Sequence, residues 1–453
     1  MRYLPHSPQD IQHMLETIGV ADMETLFRSI PRDQRTEHPD DSPGLPECQL
    51  RRYIEGLAAR NKHFCVTLAS AGAPFHAVPK AVDTIVSRSE FQTAYTPYQP
   101  EVSQGTLQAV FEFQTIVSEL MGLDVANASM YDGASAVGEA LLLALRAHKG
   151  KRQVVWVSEG LHPHARTVID TMLHAFGDVT LRWLPLDETT GATVLPGPVT
   201  ADVAAVAVGY PNFLGVIEDV AEVSAAAHAA GALSIVSVTD PSHLGVLASP
   251  GALGADIAVG EGMGLAGTAG MGGPGLGLMA VRDEYVKQMP GRIVGQTVDS
   301  RGNTGYVLTL ATREQHIRRE KATSNICSNQ ALVALAFNVH LSLLGPSGLR
   351  DMATLSRNRA MELRRGLLEI PGVRPLVTGP VMNEFALVFP RDAAGLRARM
   401  ADNGILFGVP LARFCPGRPA WREAILLAAT ETACRDDIAH TILLAKDFFR
   451  EGK

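Results

Sequence analysis

Between Lys151 and Lys287 the chain contains no lysine. Covalent chemistry that depends on a lysine amine is therefore excluded from that whole stretch. Cysteine is scarce as well: Cys48, Cys65, Cys327, Cys415 and Cys434 are far apart, odd in number and form no C-x-x-C pair. A zinc site or a dithiol redox centre is not expected from that spacing, and buried thiols are. Apolar runs are short of the roughly 18 residues that span a bilayer, and the start lacks a leader-like apolar segment. Nowhere do lysines and arginines cluster with aromatics as a nucleic-acid surface requires. These absences predict a cytoplasmic protein that binds neither membrane nor nucleic acid.

What is present fits a globular enzyme. The 453 residues are 46% hydrophobic and 19% charged, with a net charge of -7, enough chain for two well-buried cores. Ser7-Pro8-Gln9-Asp10 sets a cap and an N1 proline before Ile11, Met14, Leu15 and Ile18, which predicts a helical arm. Residues 31–46 hold Pro31, Pro39, Pro43 and Pro46 and read as a crossing segment rather than a helix. From about 104 to 330, helical segments alternate with short apolar runs, the pattern of a sheet covered on both faces. Gln104–Met121 has apolar residues at helical spacing and stops at Gly122. Asp219–Ala230 reads as a helix with acidic residues in its first turn. Strands are expected over Val154–Val157, Val203–Val208, Leu233–Val238, Ile257–Val259 and Leu276–Val281. Beyond 330 come helices over Gln330–Leu344 and Gly348–Leu368, then a small α+β unit. The predicted organisation is a helical arm over 1–60, a large α/β domain over 61–330 and a small C-terminal α+β domain over 331–453.

Several segments could carry chemistry. Gly262-Met-Gly264-Leu-Ala-Gly267 matches a dinucleotide fingerprint and follows a strand. Its glycines continue at 270, 272, 273, 275 and 277 around Pro274, however, and such a run does not open the helix that the fingerprint requires. Asp132-Gly133-Ala134-Ser135 precedes the helical run Val137–Leu145, so its first N–H groups either cradle an anion or form an ordinary cap. Asp240 follows the strand Leu233–Val238 and is either a carboxylate for a pyridine nitrogen or a turn residue. His162, after Val154–Val157, either covers a flat ring or is structural. The loop Thr93–Gly105 packs Tyr95, Tyr98, Gln99, Glu101 and Gln104 among prolines, which stiffens it. Its phenols either act at a site or plug an interface.

Four segments carry a family resemblance. They are Phe91-Gln-Thr-Ala-Tyr-Thr-Pro-Tyr-Gln-Pro-Glu-Val-Ser-Gln-Gly-Thr-Leu-Gln, Tyr210-Pro-Asn-Phe-Leu-Gly-Val-Ile-Glu-Asp, Gly272-Gly-Pro-Gly-Leu-Gly and Arg319-Glu-Lys-Ala-Thr-Ser-Asn-Ile-Cys. Arg2-Tyr-Leu-Pro-His-Ser and Leu427-Ala-Ala-Thr-Glu-Thr extend the match nearly end to end. In these segments the chain resembles the P-protein of the glycine cleavage system, in particular subunit 1, the N-terminal half of the split form.

The resemblance implies a fold-type I pyridoxal phosphate fold and glycine dehydrogenase (aminomethyl-transferring) activity. In that family glycine loses CO2 and its aminomethyl group passes to the lipoyl arm of H-protein. Catalytic members carry a His-Lys pair between Ala-Asp-Ile and Gly-Gly-Pro. Here the interval from Gly254 to Pro274 has no lysine, so the lysine is expected on a partner chain, P-protein subunit 2, in an α2β2 assembly. Gly133, Ala134, Ser135, His162 and Asp240 then become relics of a cofactor site. Tyr95, Tyr98, Gln99, Glu101 and Gln104 become residues reaching across the subunit boundary, with Thr323, Ser324 and Asn325 as further interface residues. An isolated chain of this kind should expose an apolar face. Two alternatives stay open: a stand-alone pyridoxal phosphate enzyme anchored on Lys80, Lys287 or Lys321, and a scaffold subunit without a catalytic contribution.

Overall fold

The computed structural model describes residues 5–35, 43–267, 273–415 and 418–451, so Gly270 and Gly272 of the glycine run and Pro39 of the crossing segment lie outside the described residues. Contacts divide the chain into two compact units, Met1–Lys62 and His63–Lys453.

In the first unit, α1 (Pro8–Ile18) begins at Ser7, whose hydroxyl accepts from the Asp10 backbone while the Asp10 carboxylate accepts from the Ser7 backbone. This reciprocal cap satisfies two otherwise orphaned groups. The helix ends at Gly19, whose φ of 77° only glycine adopts cheaply. In α2 (Glu47–Ala58) no residue is buried. Ile11, Met14, Ile18, Leu50, Tyr53, Ile54 and Leu57 are exposed, so both helices carry apolar faces without a core of their own.

The second unit is built on a seven-stranded sheet. Its strands are β1 (Val125–Ala126), β2 (Val154–Ser158), β3 (Thr180–Leu184), β4 (Val203–Gly209), β5 (Leu233–Val238), β6 (Ile257–Glu261) and β7 (Gly277–Val281), in spatial order β1-β7-β6-β5-β4-β2-β3. The run from β3 through β2, β4 and β5 to β6 is parallel, whereas β7 is antiparallel to both β6 and β1. Alternation along β4 sends Val206 and Val208 to one face and Ala205 and Ala207 to the other. The first face is covered by α3 (Gln104–Met121), α6 (Val220–Ala229) and the first half of α7 (Ala331–Leu368), and the second by α4 (Gly133–Ala147) and α5 (Pro163–His174). Burial on both faces explains why the central strands read as continuous apolar runs.

Helix α3 stops at Gly122, whose φ is 67°. The backbone of Gly251 packs on it so closely that a Cβ at 251 would lie 1.9 Å from the Gly122 carbonyl oxygen. Two glycines are needed for that contact. Helix α7 breaks its helical backbone at Gly345, immediately before Pro346, between the two helices expected from sequence. By length and hydropathy α7 could cross a membrane, yet Phe337, Leu341, Leu349, Leu363 and Leu367 are all buried in the cores of this unit. It is a core helix.

A second sheet of β10 (Arg374–Pro375), β11 (Glu384–Val388), β12 (Val409–Pro410) and β13 (Ala424–Ala428) is antiparallel throughout, in the order β10-β11-β13-β12. Helices α8 (Ala393–Asp402) and α9 (Arg435–Glu451) pack with it. This core also takes in Val66, Leu68, Phe213, Leu214 and Val216, so residues after 330 share two cores and the second draws on residues far upstream. Between the two sheets in sequence lies a hairpin, β8 (Ile293–Val298) with β9 (Thr304–Thr309), which the sequence reading did not anticipate. The expectation of buried thiols is corrected: Cys48, Cys65, Cys327 and Cys434 are exposed, and Cys415 is half-buried. Cys48 sits on the coreless helix α2 and the others lie in loops.

Candidate functional site

In open α/β sheets ligands bind outside the carboxyl ends of the strands. Here the ends of β5 and β6, neighbours in the sheet, present Asp240 and Glu261. A crevice beside Asp240 is lined by Ser70, Pro74, Asn212, His243, Asn383 and Glu384.

Asp240 is buried and already partnered. Its carboxylate lies 3.2 Å from His76 Nε2 and 3.2 Å from His243 Nε2, and it accepts from the Ser242 backbone at 3.0 Å. The other nitrogen of His76, Nδ1, is 2.9 Å from Glu431 Oε2, so one imidazole bridges two carboxylates. Burial works to lower the His76 pKa, but Asp240 and Glu431 together push it up to about 10. Burial likewise works to raise the Asp240 carboxyl, and the facing charges of His243 and His76 hold it well below the usual carboxylate range. Glu431 is fixed by the Ala77 backbone and the Ser356 hydroxyl. Asp240 is thus already flanked by two imidazoles, one of them shared with Glu431. Nearby, burial pushes Glu384 up to about 7, while its carboxylate accepts from the Ala71 backbone at 2.7 Å.

The anion cradle is also filled. Asp132 caps α4, accepting from the Ser135 backbone at 2.7 Å, and Ser135 Oγ accepts from the Asp132 backbone. The Gly133 N–H donates at 2.9 Å to Glu261 Oε2. The other oxygen, Oε1, accepts from Leu276 N at 2.7 Å and Met263 N at 3.0 Å. A Cβ on Gly133 would lie 3.0 Å from Glu261 Cβ, so the two backbones meet closely. Burial pushes the Glu261 carboxyl upward.

His162 does not stand over the crevice as a free ring. It caps α5 through Nδ1, its Nε2 is 2.8 Å from the Ala71 carbonyl oxygen, and its ring packs edge-on against Phe213 at 5.1 Å. Burial lowers its pKa to about 4, which leaves it neutral. The dinucleotide-like glycines are structural too: only Met263–Ala266 is helical, and a Cβ on Gly264 would strike Pro74 at 2.7 Å. Lys80, Lys287 and Lys321 are exposed, and none lines the crevice.

The tyrosine loop forms a different surface. Tyr95 is 91% exposed and Tyr98 is 53% exposed. Gln99 and Glu101 are exposed beside them. Beneath lies an apolar hollow lined by Phe91, Pro97, Val110, Leu308, Leu332 and Arg292. The buried Arg292 donates to Tyr98 Oη at 3.2 Å and to Thr96 Oγ1 at 3.3 Å, and its guanidinium stands 5.3 Å from the Tyr98 ring centre. Gln104 is committed elsewhere: its side-chain amide accepts from Tyr306 N and donates to Tyr306 O, both at 2.9 Å, tying α3 to the β8–β9 hairpin. Thr323 donates its N–H to the Arg313 carbonyl, Ser324 Oγ donates to Glu139 Oε1 at 2.7 Å, and Asn325 is exposed.

A family model described as "Glycine cleavage system P-protein" matches residues 1–444. The chain belongs to the glycine cleavage system P-protein family. A relative from Anaeromyxobacter dehalogenans, named "Probable glycine dehydrogenase (decarboxylating) subunit 1", is 49% identical over 435 residues, 95% of this chain and 96% of the relative. The protein of the same name from Rhodospirillum rubrum is 46% identical over 457 residues, 99% of this chain and 100% of the relative. Among solved structures, an inhibitor-bound glycine decarboxylase (P-protein) of the glycine cleavage system aligns with a TM-score of 0.85 and 44% identity, over 99% of this chain and 100% of that one. A sphingosine-1-phosphate lyase from Burkholderia pseudomallei, at 15% identity and a TM-score of 0.63 over 93% and 96% of the two chains, shares the fold. Within the P-protein family, sequence reasoning found Asp240, the α4 cap and the tyrosine loop. It missed His76, His243, Glu261, Glu431 and Arg292. Glu431 stands inside the family-like segment Leu427–Thr432.

Proposed function

We propose that this chain is the lysine-less subunit of a heteromeric glycine dehydrogenase (aminomethyl-transferring), inactive alone and completed by a lysine-bearing subunit in an α2β2 assembly. The observation that carries the reading is the cofactor cleft of this chain. It has no lysine, Asp240 is held by two histidines, and the first N–H of α4 is bound to Glu261. The residues present do not fit pyridoxal phosphate, so no step is assigned to this cleft. The cofactor belongs on the partner subunit, where it would supply the electron sink for glycine decarboxylation, with the aminomethyl group passed to the lipoyl arm of H-protein.

What this chain contributes is the exposed loop. Tyr95, Tyr98, Gln99 and Glu101 are held outward on a proline-stiffened segment, and Arg292 fixes the Tyr98 phenol from below. Two donor-capable phenols and a carboxylate suit the positioning of a small zwitterion such as glycine at a subunit boundary. Gln104 supports the loop from inside, and Ser324 ties its segment to Glu139. The coreless apolar faces of α1 and α2 favour a protein partner as well. This is a cytoplasmic enzyme in our reading.

Reconstitution decides it. Glycine–CO2 exchange is measured with lipoylated H-protein for this chain, the partner and the mixture. Exchange only in the mixture is expected. Full exchange by the partner alone would make this chain a scaffold, and exchange by this chain alone would overturn the reading.

A further inference from the structure

We infer that Glu261 is a built-in substitute for the cofactor phosphate, and that with His76 in the pyridinium position it makes this cleft a self-occupied cofactor site able to form without any ligand. The inference deepens the proposed function and rests on its assignment of the cleft as a cofactor relic.

A pyridine phosphate presents a cation at one end and an anion at the other. A fold that receives it provides a carboxylate for the first and open helical N–H groups for the second. In this chain the carboxylate end, Asp240 just past β5, faces the imidazole of His76 and that of His243. The helical end, Gly133 at the start of α4, donates to a carboxylate from the adjacent strand β6. Glu261 collects three backbone N–H groups, from Gly133, Met263 and Leu276, and, among the described residues, no side-chain cation. A carboxylate with only N–H partners beside a helix N-terminus occupies an oxyanion site, and the helix field favours it there. Without Glu261 those donors would be orphaned in a part-buried setting. Such donors are costly unless an anion or water replaces the lost group.

The substitution also has a consequence for assembly. An empty cradle leaves donors unpaired until the cofactor arrives, so folding and loading are coupled. A cradle closed by its own glutamate decouples them, and the cleft of this chain is closed before it meets its partner.

The test uses the full chain assembled with its lysine-bearing partner, as wild type, Glu261→Ala and Glu261→Gln. Hydrogen–deuterium exchange is followed over 131–147 while inorganic phosphate is titrated against chloride at constant ionic strength. In the wild type, exchange should not respond to phosphate. Glu261→Ala should exchange at least about tenfold faster around Gly133, the loss of roughly one hydrogen bond to a charged acceptor, and phosphate should restore protection. Glu261→Gln, which keeps the space filled, should exchange faster without rescue. Wild-type protection in Glu261→Ala without phosphate, or a wild type that responds to phosphate as strongly, would overturn the inference. Should the alanine variant fail to assemble, cofactor phosphate is counted in the wild-type complex. One phosphate per pair of chains is expected, and two would overturn the inference. These readouts do not depend on turnover, so an activity result that removed the proposed function would leave them interpretable.

Discussion

Replacing Asp240 by Asn separates the structural role of this carboxylate from a catalytic one. Asp240 and His76 form a buried ion pair that Glu431 extends, with His243 as a second partner. Removing the Asp240 charge leaves His76 with Glu431 alone and takes the facing carboxylate from His243, and breaking a buried pair costs about 3–5 kcal/mol. In a unit of this size that corresponds to a fall in Tm on the order of 5 °C. The pH dependence gives an independent signature. His76 has its pKa raised from 6.5 to about 10 on folding, so its contribution is fully present below pH 6.5 and is lost as pH rises through about 10. Wild-type stability should therefore decline between those limits, and Asp240→Asn should flatten that decline. Thermal unfolding of the assembled enzyme from pH 6 to 10 measures both effects. Turnover per assembled enzyme should stay within about twofold of wild type, because the proposed function assigns no reacting atom to this cleft. Unchanged stability would refute the ion-pair argument. A collapse of turnover with normal assembly, in Asp240→Asn or Asp240→Ala, would refute the relic assignment instead.

The tyrosine loop and the missing lysine give two more expectations. Tyr98→Phe removes the acceptor for Arg292 at 3.2 Å, and at a half-exposed position that is worth about 1 kcal/mol, or roughly fivefold in kcat/KM for glycine. Tyr95→Phe, whose ring is far more exposed, should cost a similar factor only if its phenol meets the partner's site. Steady-state kinetics of both variants at equal assembly check this, and unchanged values in both would reduce the loop to interface packing. Borohydride reduction of the loaded complex followed by peptide mapping should label a lysine of the partner and no peptide of this chain. A label on Lys80, Lys287 or Lys321 would restore the stand-alone alternative.

The parts of the fold that were readable in sequence are those whose signal is local. The central strands are buried on both faces and read as apolar runs. Helix α3 ends where Gly122 requires, and the break in α7 falls at Gly345 and Pro346. Edge strand β3 was missed because its residues alternate between exposed and half-buried up to Leu184. The hairpin β8–β9 was missed because its tip, from Gln296 onward, is solvent-facing and short of apolar residues. The site failed for a different reason. Asp240 and His76 are 164 positions apart and His76 and Glu431 are 355 apart, so no spacing rule connects them. For Glu261 a local signal did exist: an acidic residue closing an apolar strand, next to the strand that ends before Asp240. The glycines that follow it match a dinucleotide fingerprint that the sequence itself argues against, while the informative residue was the one immediately before them.

Loss of the lysine alone would have left an apo-like cleft with a buried carboxylate and unsatisfied helix donors, and neither is tolerated in a part-buried setting without compensation. Both compensations are present, and both come from the chain itself: histidines for the carboxylate, a glutamate for the donors. The loop of Tyr95 and Tyr98 shows the opposite pattern, with large aromatic surface left outside and a buried arginine spent on holding one phenol in place. A cleft whose polar groups are satisfied from within and a loop that holds large aromatic surface outside are the two features on which the proposed division of labour between this chain and its partner rests.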